Sequence, residues 1–257
     1  SQSFSMTFRF IILAACKGTR MKSEIPKTLT PIGGKPILQH LYESVQASGV
    51  DGVPVIVVGH EREQLCSQFD GVCEYVVQEE QLGTAHAVKV CRDAVKDADA
   101  VIVLYGDHPL VSARTLRDLA LLHEKSKTVL TLMTTTVPSF EGWYSAYLHW
   151  GRILRDLHGH IMGSREYKDA MESERDIREV NPCFFCFDAK WLWENIGQVK
   201  NFNAKKEYYL TDLVELAVMQ GHQIADMSIS PEEAVGINTQ EEREIAEAVL
   251  ANRHGLA

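Results

Sequence analysis

Short apolar runs recur along the first half of this chain, and they constrain its fold more than any other feature. The first run, "FRFIILA", occupies residues 8–14. Runs of this length are typical of strands that are buried on both faces of a sheet. The further runs predict strands at 53–59, 73–78, 99–107 and 128–137.

The segments between these runs have helical periodicity. In "PILQHLYESVQASG", residues 36–49, the side chains of Leu38, Leu41 and Val45 lie on one helical face. Helices are predicted at 36–49, 61–69, 84–96 and 112–125. Repeated βα units favour an α/β fold with a mostly parallel sheet, right-handed crossovers and helices on both faces.

Beyond residue 138 the pattern is less regular. Strands are predicted at 151–157 and 183–188, and helices at 189–199, 208–220 and 240–253. No repeat or linker divides the chain, so residues 8–257 are predicted to form one domain. Residues 1–7 are predicted to be a tag remnant and N-terminal tail.

The charge and the cysteines exclude several classes of protein. A net charge of -9 argues against a general nucleic-acid binder, which needs a surplus of Lys and Arg. No stretch approaches the roughly 20 apolar residues of a membrane span. Six cysteines without a regular framework indicate reduced thiols, and Cys183 and Cys186 have the C-x-x-C spacing but the apolar neighbours of a core strand. We therefore expect a cytoplasmic protein without nucleic-acid or membrane partners.

The segment "LAAC", which ends at Cys16, could also be the cleavage box of a lipoprotein. A secretory apolar region needs roughly 7–15 residues. Here Phe10 to Ala15 supplies only six, directly after Arg9. A strand that ends in a loop is therefore the favoured interpretation.

A basic loop follows this first predicted strand. Between residues 14 and 35 the only acid is Glu24, although the whole chain is acidic. The basic residues of the loop are Lys17, Arg20, Lys22, Lys27 and Lys35. Five cations beside exposed backbone N–H groups suit a polyphosphate, and a solvated basic loop is the alternative.

Two more segments place polar groups at the carboxyl ends of strands, where open α/β sheets bind their ligands. In "YGDHPLV", Asp107 suits a Mg²⁺ ion that bridges phosphate oxygens, and helix capping is the alternative. In "QEEQLGTAHAV", Gly83 opens a helix. The side chains of Gln78, Gln81 and Thr84 offer the donors and acceptors that reading a base edge requires.

These segments occur in the order of a known family. "LAACKGTRMKSEIPKTLTPIGGKPIL", "QEEQLGTAHAV", "YGDHPLV", "GRI", "REYKDA", "EVN", "EYYLTDL" and "GIN" resemble the pyrophosphorylase domains of bacterial N-acetylglucosamine-1-phosphate uridyltransferases, which are sugar nucleotidyltransferases. The resemblance implies a Rossmann-like nucleotide-diphospho-sugar transferase fold. It also implies Mg²⁺-dependent transfer of UMP from UTP to N-acetylglucosamine 1-phosphate, a step towards cell-wall precursors. The resemblance implies UTP and a sugar 1-phosphate as partners, and it is compatible with a homo-oligomer.

The resemblance assigns roles to individual residues. It implies a nucleotide-binding part at 8–137 and a sugar-binding lobe at 138–257. Arg20 and Lys27 would clamp the phosphates, and Asp107 and Asn238 would hold Mg²⁺. The nucleotide would be bound by Leu13, Ala14, Ala15, Gln78, Gly83, Thr84 and Tyr105. The acceptor sugar would be bound by Gly151, Glu166, Asn181, Tyr209 and Thr211.

The sequence also departs from the family. Residues 138–150 are longer and more aromatic than usual, and Pro182-Cys183 replaces a Thr-Gly pair. Lys206 and Cys16 stand where Gly is common. We hypothesise that Cys16→Gly keeps or raises turnover and that alkylation of Cys16 blocks UTP. The family enzymes continue into a hexapeptide-repeat acetyltransferase domain that this sequence does not contain, so the chain is expected either to lack acetyl transfer or to be a truncated form of a longer enzyme.

Most of these departures fall on the acceptor side, so another hexose 1-phosphate is an alternative acceptor. Two further alternatives are a catalytically inactive nucleotide-sugar-binding protein and a relative that transfers CMP or GMP to a non-sugar alcohol. The chemistry itself requires no strong base, because the attacking phosphate is already ionised. Alignment and charge neutralisation carry most of the catalysis in phosphoryl-type transfers.

Overall fold

The computed structural model of the protein describes residues 3–15, 25–69 and 71–255. Within these residues the strands are β1 (Phe8–Leu13), β2 (Pro31–Ile32), β3 (Lys35–Pro36), β4 (Val55–Val58), β5 (Glu74–Val77), β6 (Ala100–Tyr105), β7 (Leu130–Thr136), β8 (Arg152–Arg155), β9 (Ile161–Arg165), β10 (Glu179–Val180), β11 (Phe185–Asp188) and β12 (Ala225–Ser228). The helices are α1 (Ile37–Ser48), α2 (Arg62–Gln68), α3 (Thr84–Lys89), α4 (Ala113–Ser126), α5 (Glu172–Arg175), α6 (Ala189–Asn195), α7 (Asp212–Met219), α8 (Pro231–Ala234) and α9 (Gln240–Gly255). In this part of the chain, no helix is long and apolar enough to span a bilayer.

One mixed sheet organises the molecule. Its strands lie in the order β5-β4-β1-β6-β11-β7-β10-β8-β9, and β12 pairs with β7. The predicted parallel half is confirmed, because β5, β4, β1 and β6 pair in parallel. Strand β11 runs antiparallel between β6 and β7. The second half of the sheet, from β11 to β9, is therefore largely antiparallel.

The first strand shows why this sheet forms. Phe10, Ile11 and Ile12 are completely buried, so β1 is covered on both faces as its apolar sequence predicts. Phe10 and Ile12 belong to the core layer that contains residues of α1 and α4. Ile11 belongs to the opposite layer, which contains residues of α3, α6 and α7. Burial of both faces fixes β1 at the centre of the domain.

Two of the predicted helices need correction. The helix predicted at 84–96 ends at Lys89, and a short 3-10 turn follows at Asp93–Val95. The helix predicted at 208–220 begins only at Asp212. Residues 208–210 instead lie along the start of α3, because Tyr208 O accepts a hydrogen bond from Ala85 N at 2.8 Å. Strands β9, β10 and β12 were not predicted, since these short or polar segments lack a clear alternation.

Candidate active site

The carboxyl ends of β1 and β6 meet at one edge of the sheet. Leu13 is paired with Tyr105, and Gly106 N donates a hydrogen bond to Leu13 O at 2.8 Å. A Cβ atom on Gly106 would lie 2.8 Å from that same carbonyl oxygen, so only glycine allows the approach. This approach places Asp107 directly beside the end of β1.

Lys27, Asp107 and Asn238 form the centre of this edge. The Lys27 ammonium donates to Asp107 Oδ2 at 2.9 Å and to Asn238 Oδ1 at 2.7 Å. Lys27 lies in a 3-10 turn after Pro26 and is 6% exposed. Asn238 is fixed by its neighbour, because Ile237 N donates to Asp107 O at 2.9 Å. Three of the predicted site residues, which are far apart in the sequence, thus meet at one point.

The environment of Asp107 keeps its carboxyl group ionised. Burial tends to raise the pKa of Asp107, but Lys27 and His108 outweigh this effect and hold the pKa below its usual value. His108 was not predicted as part of the site. Its Nδ1 atom lies 3.0 Å from Ala234 O, and its Nε2 atom lies 3.4 Å from Asp107 Oδ1. Burial lowers the pKa of His108.

The polar atoms of this centre fit a hard divalent cation. Asp107 Oδ1 is buried and has no hydrogen-bond partner among the described residues. A carboxylate oxygen and the amide oxygen of Asn238 are ligands of the kind that Mg²⁺ takes. No group of three or more His, Cys, Asp or Glu side chains in the described ranges could hold a metal ion. A cation here would therefore need substrate oxygens or water as further ligands, and the magnesium site stays a prediction.

The predicted base-reading residues lie at the neighbouring part of the edge. Gln78 is buried, and its Nε2 atom donates to Gly83 O at 3.3 Å and lies 2.9 Å from His86 Nδ1. Gly83 has a φ of +116°, and a Cβ atom there would lie 2.6 Å from Tyr208 O. Thr84 Oγ1 accepts from Leu210 N at 2.9 Å. The segment 82–85 is therefore held in place by residues 208–210.

A small cleft lies at the carboxyl ends of β1 and β4. Ala14 and Ala15 line the cleft together with Gly59 and His60. Tyr105 is paired with Leu13 at the end of β6. The predicted nucleotide-binding residues at 13–15, 78, 83–84 and 105 thus share one edge of the sheet.

A cavity of about 920 Å³ opens next to the Lys27 centre. Glu166 and Tyr209 line it, as predicted for acceptor-binding residues, and Asn238 also lines it. Its wall also contains Ser145, Ala146, Leu148, His149, Trp150, Tyr167, Lys168, Lys205, Thr239, Glu241, Glu242 and Ile245. Because Asn238 contacts Lys27 and also lines the cavity, the Lys27 centre and the cavity adjoin one another.

The remaining predicted acceptor residues support this wall. Thr211 Oγ1 donates to Glu166 Oε1 at 3.3 Å. Asn181 N donates to Gly151 O at 2.9 Å, and Asn181 Nδ2 donates to Ser164 Oγ at 2.9 Å. The structure thus brings all five acceptor predictions into one region, with Gly151, Asn181 and Thr211 outside the lining of the cavity.

Arg152 is a structural residue that sequence reasoning missed. It is completely buried, and its guanidinium donates to Trp150 O at 2.6 Å, to Leu148 O at 2.9 Å and to Arg175 O at 3.0 Å. The guanidinium also lies 5.3 Å from the centre of the Tyr167 ring. Leu148, Trp150 and Tyr167 all line the cavity, so Arg152 holds its aromatic wall from behind.

Several predictions receive no test from this geometry. Arg20, Lys17, Lys22 and Cys16 lie outside the described residues. Lys35 forms an ion pair with Glu43 of α1 at the surface. Gln81 remains a candidate for base recognition.

Two of the positions at which the chain departs from the family's glycines have positive φ angles. Cys183 has a φ of +64° and Lys206 a φ of +54°. Both are values that L-residues other than Asn and Asp seldom adopt. Of the C-x-x-C pair, Cys186 lies in the buried core of β11 as predicted, whereas Cys183 is only partly buried.

Comparison with known proteins identifies a matching family and several curated relatives of this chain. The family model for MobA-like NTP transferase domains matches residues 10–178. The bifunctional protein GlmU of Brevibacillus brevis is 39% identical over 245 residues, which are 95% of this chain and 51% of that protein. GlmU of a Geobacillus species is 40% identical over 245 residues, 95% of this chain and 52% of its own length. The chain thus spans about half the length of the curated relatives that it matches.

Solved structures share the fold at low sequence identity. A UDP-glucose pyrophosphorylase complexed with UDP-glucose aligns with a TM-score of 0.78 and 17% identity, over 96% of this chain and all of that one. A CMP:2-keto-3-deoxy-manno-octonic acid synthetase complexed with CTP aligns with a TM-score of 0.67 and 18% identity, over 96% and 99%. These similarities confirm the predicted Rossmann-like nucleotide-diphospho-sugar transferase fold.

Proposed function

The chain belongs to the family of MobA-like NTP transferase domains, and we propose that it transfers UMP from UTP to N-acetylglucosamine 1-phosphate. The products are UDP-N-acetylglucosamine and pyrophosphate. The family match and the curated relatives confirm the prediction of a sugar nucleotidyltransferase. The identities of the donor, the acceptor and the metal are our proposal.

One observation carries this proposal. Asn238 contacts the Lys27 ammonium and also lines the acceptor cavity. A phosphate bound at Lys27 therefore lies next to the space for an acceptor. A transferase that joins two phosphorylated substrates requires this proximity, because alignment of the reacting groups supplies much of its rate.

The reaction proceeds by displacement at the α-phosphorus of UTP. An ionised phosphate oxygen of the acceptor attacks, a new P–O bond forms, and the bond to the bridging oxygen of pyrophosphate breaks. Pyrophosphate leaves with the electron pair of that bond. Neither a general base nor a covalent nucleophile is required.

The residues of the chain position charge for this step. Lys27 offsets the negative charge that develops on the phosphates, and Asp107 and Asn238 fix the direction of its ammonium group. Mg²⁺ held by the oxygens of Asp107 and Asn238 would supply further charge neutralisation. Glu166 lines the cavity and suits the hydroxyl groups of a sugar, because its carboxyl group carries strong hydrogen-bond acceptors.

The residues at the edge of the sheet that is predicted to bind the nucleotide support uridine as the base. Gln78 presents an amide next to the glycine that opens α3, and its contact with His86 fixes the orientation of that amide. An amide supplies both a donor and an acceptor, as the edge of uracil does. The structures that share the fold carry different nucleotides, so the base must be tested directly.

Two alternatives remain for the same site. Another hexose 1-phosphate would fit the same chemistry, because the departures from the family concentrate on the acceptor side. A catalytically inactive nucleotide-sugar-binding protein is disfavoured, because the Lys27, Asp107 and Asn238 centre is complete. A binder has less need of a clamp for a departing pyrophosphate.

Release of pyrophosphate, measured with a coupled assay, tests the proposal. Four nucleoside triphosphates are each combined with a panel of sugar 1-phosphates that includes the glucose, galactose and N-acetylglucosamine derivatives. We expect the highest kcat/KM for UTP with N-acetylglucosamine 1-phosphate. Lys35→Ala serves as a control, since Lys35 pairs with Glu43 away from the site. A lack of turnover with every pair, together with tight binding of a UDP-sugar, would favour the inactive binder.

A further inference from the structure

His108 contacts both the Lys27 centre and the wall of the acceptor cavity. It follows Asp107 directly, and its Nε2 atom lies 3.4 Å from Asp107 Oδ1. Its ring also packs against Trp150, which lines the cavity, with 5.4 Å between the ring centres and 72° between the ring planes. One buried side chain thus joins the two parts of the site.

The imidazole ring of His108 is held in one orientation. Its Nδ1 atom lies 3.0 Å from Ala234 O, and this nitrogen carries the proton because a carbonyl oxygen can only accept. Phe184 makes a second edge-to-face contact, with 5.1 Å between the ring centres. A Cβ atom on Gly236 would lie 2.9 Å from His108 Cε1, so glycine at this position leaves room for the ring.

The segment 234–238 lies against His108 and ends at the Lys27 centre. Its first carbonyl group, that of Ala234, accepts the hydrogen bond from the imidazole. Its last residue, Asn238, accepts a hydrogen bond from the Lys27 ammonium at 2.7 Å. A displacement of the imidazole should therefore move Asn238 relative to Lys27.

We propose that His108 is a positioning residue for the transfer reaction, which aligns the Lys27 centre with the wall of the acceptor cavity. The inference rests on the proposed function. The hydrogen bond to Ala234 fixes the segment that carries Asn238, and the packing against Trp150 fixes the wall. Because alignment of the reacting groups supplies much of the rate, a rigid link between their two binding sites serves the reaction.

Two substitutions separate the two contacts of His108. His108→Asn keeps a donor close to the position of Nδ1 but removes the ring, whereas His108→Phe keeps an aromatic ring but leaves Ala234 O without its donor. Release of pyrophosphate from UTP and N-acetylglucosamine 1-phosphate gives kcat and both KM values for each variant. Equilibrium binding of UDP-N-acetylglucosamine is a second measurement, which does not depend on turnover.

His123 provides the matched control. It is also buried, its Nδ1 atom lies 2.8 Å from Thr131 Oγ1, and its ring makes an edge-to-face contact with Phe8 at 6.4 Å between the ring centres. Phe8 begins β1, so this contact lies at the end of the strand that is remote from the site. His123→Asn and His123→Phe should lower the thermal stability but keep the wild-type kcat and KM values.

We expect His108→Asn to raise the KM of the acceptor roughly 2–10-fold, which corresponds to the loss of one edge-to-face aromatic pair, and to weaken the binding of UDP-N-acetylglucosamine by a similar factor. In His108→Phe, kcat should fall about 10-fold or more, since a misplacement of about 1 Å costs roughly 10²-fold in rate. The KM of the acceptor should stay close to the wild-type value in His108→Phe, and the KM of UTP should do so in both variants.

Three results would overturn the proposal. Wild-type kcat and KM values in both His108 variants, with an active wild type, would remove the positioning role and leave the proposed function standing. Losses of activity that follow the losses of thermal stability equally in the His108 and His123 variants would assign His108 a purely structural role. A wild type that turns over no acceptor would overturn this proposal together with the proposed function.

Discussion

Lys27 Nζ lies 2.9 Å from Asp107 Oδ2, although 80 positions separate the two residues in the sequence. Both side chains are largely buried. The pair connects the basic loop to the end of β6, and Asn238 adds the C-terminal part of the chain. Removal of one partner from a buried pair leaves an uncompensated charge, which commonly costs about 3–5 kcal/mol of stability. Isosteric changes therefore test catalysis better than truncation to alanine.

Asp107→Asn should lower turnover by roughly 10²–10³, in line with the loss of one preorganised electrostatic contact. The amide keeps the shape of the side chain but loses the negative charge that orients Lys27 and would attract a cation. Pyrophosphate release measures the rate, and thermal unfolding checks that the variant is folded. Turnover at the wild-type rate would mean that Asp107 neither holds a metal nor orients the clamp.

Gly83→Ala should impair UTP binding and lower stability together. The added Cβ would lie 2.6 Å from Tyr208 O, and the φ of +116° is unfavourable for alanine. Backbone strain of this kind costs roughly 1–3 kcal/mol. Because Gly83 O accepts from the Gln78 amide, a shift of this loop should also raise the KM of UTP.

The matched control for this change is Gly221→Ala. Gly221 has a φ of +87°, but no atom lies within 4 Å of the added Cβ. The Gly221→Ala variant should have a lower free energy of unfolding, as determined by urea denaturation, and the same KM for UTP as the wild type. If Gly83→Ala and the wild type had the same KM for UTP, Gly83 would not take part in nucleotide binding.

The sequence predicted the parts of this site that depend on strand ends. Apolar runs located β1, β5 and β6, and the family pattern located Asp107 after β6, Gln78 after β5 and Gly83 at the start of α3. The structure adds contacts that local patterns do not encode. Arg152 resembles an exposed position of a strand, and only the tertiary structure brings the carbonyl groups of Leu148, Trp150 and Arg175 to its guanidinium.

The same reason explains the errors in the second half of the chain. Residues 208–210 have a helical pattern, but the hydrogen bond between Leu210 N and Thr84 Oγ1 holds them in a different conformation. Long-range pairing of this kind overrides local propensity. The positive φ of Cys183 was likewise not predicted, because it depends on the side chain of Asn181.

Asp212→Asn should stabilise the protein at pH 8 and have little effect at pH 4. Burial raises the pKa of Asp212 to about 6, and Glu215, Glu166 and Asp169 add to this effect. The folded state binds this proton more tightly than the unfolded chain, in which the pKa is near 3.8. Stability should therefore decline as the pH rises from about 4 to about 6, through ionisation of this group.

The expected gain for Asp212→Asn at pH 8 is about 1–2 kcal/mol, after allowance for partial solvent exposure and for the favourable start of α7. Urea denaturation at the two pH values measures it. Asp118→Asn, at an exposed position of α4, is the control. Its effect on the free energy of unfolding should be the same at pH 4 and at pH 8. A gain of the same size at pH 4 would contradict the assigned titration.

Arg152→Lys should weaken acceptor binding while it leaves nucleotide binding intact. Lysine keeps the charge but has a single nitrogen, which cannot reach the carbonyl groups of Leu148, Trp150 and Arg175 together. Unsatisfied buried groups cost about 1–3 kcal/mol each, so the free energy of unfolding should fall by a few kcal/mol. Because Leu148 and Trp150 line the cavity, the KM of the acceptor should rise several-fold, whereas the KM of UTP should not change. Arg114→Lys, on the exposed face of α4, is the control for an exchange of arginine for lysine away from the cavity. An equal rise in both KM values would show that Arg152 supports the whole domain rather than the acceptor wall.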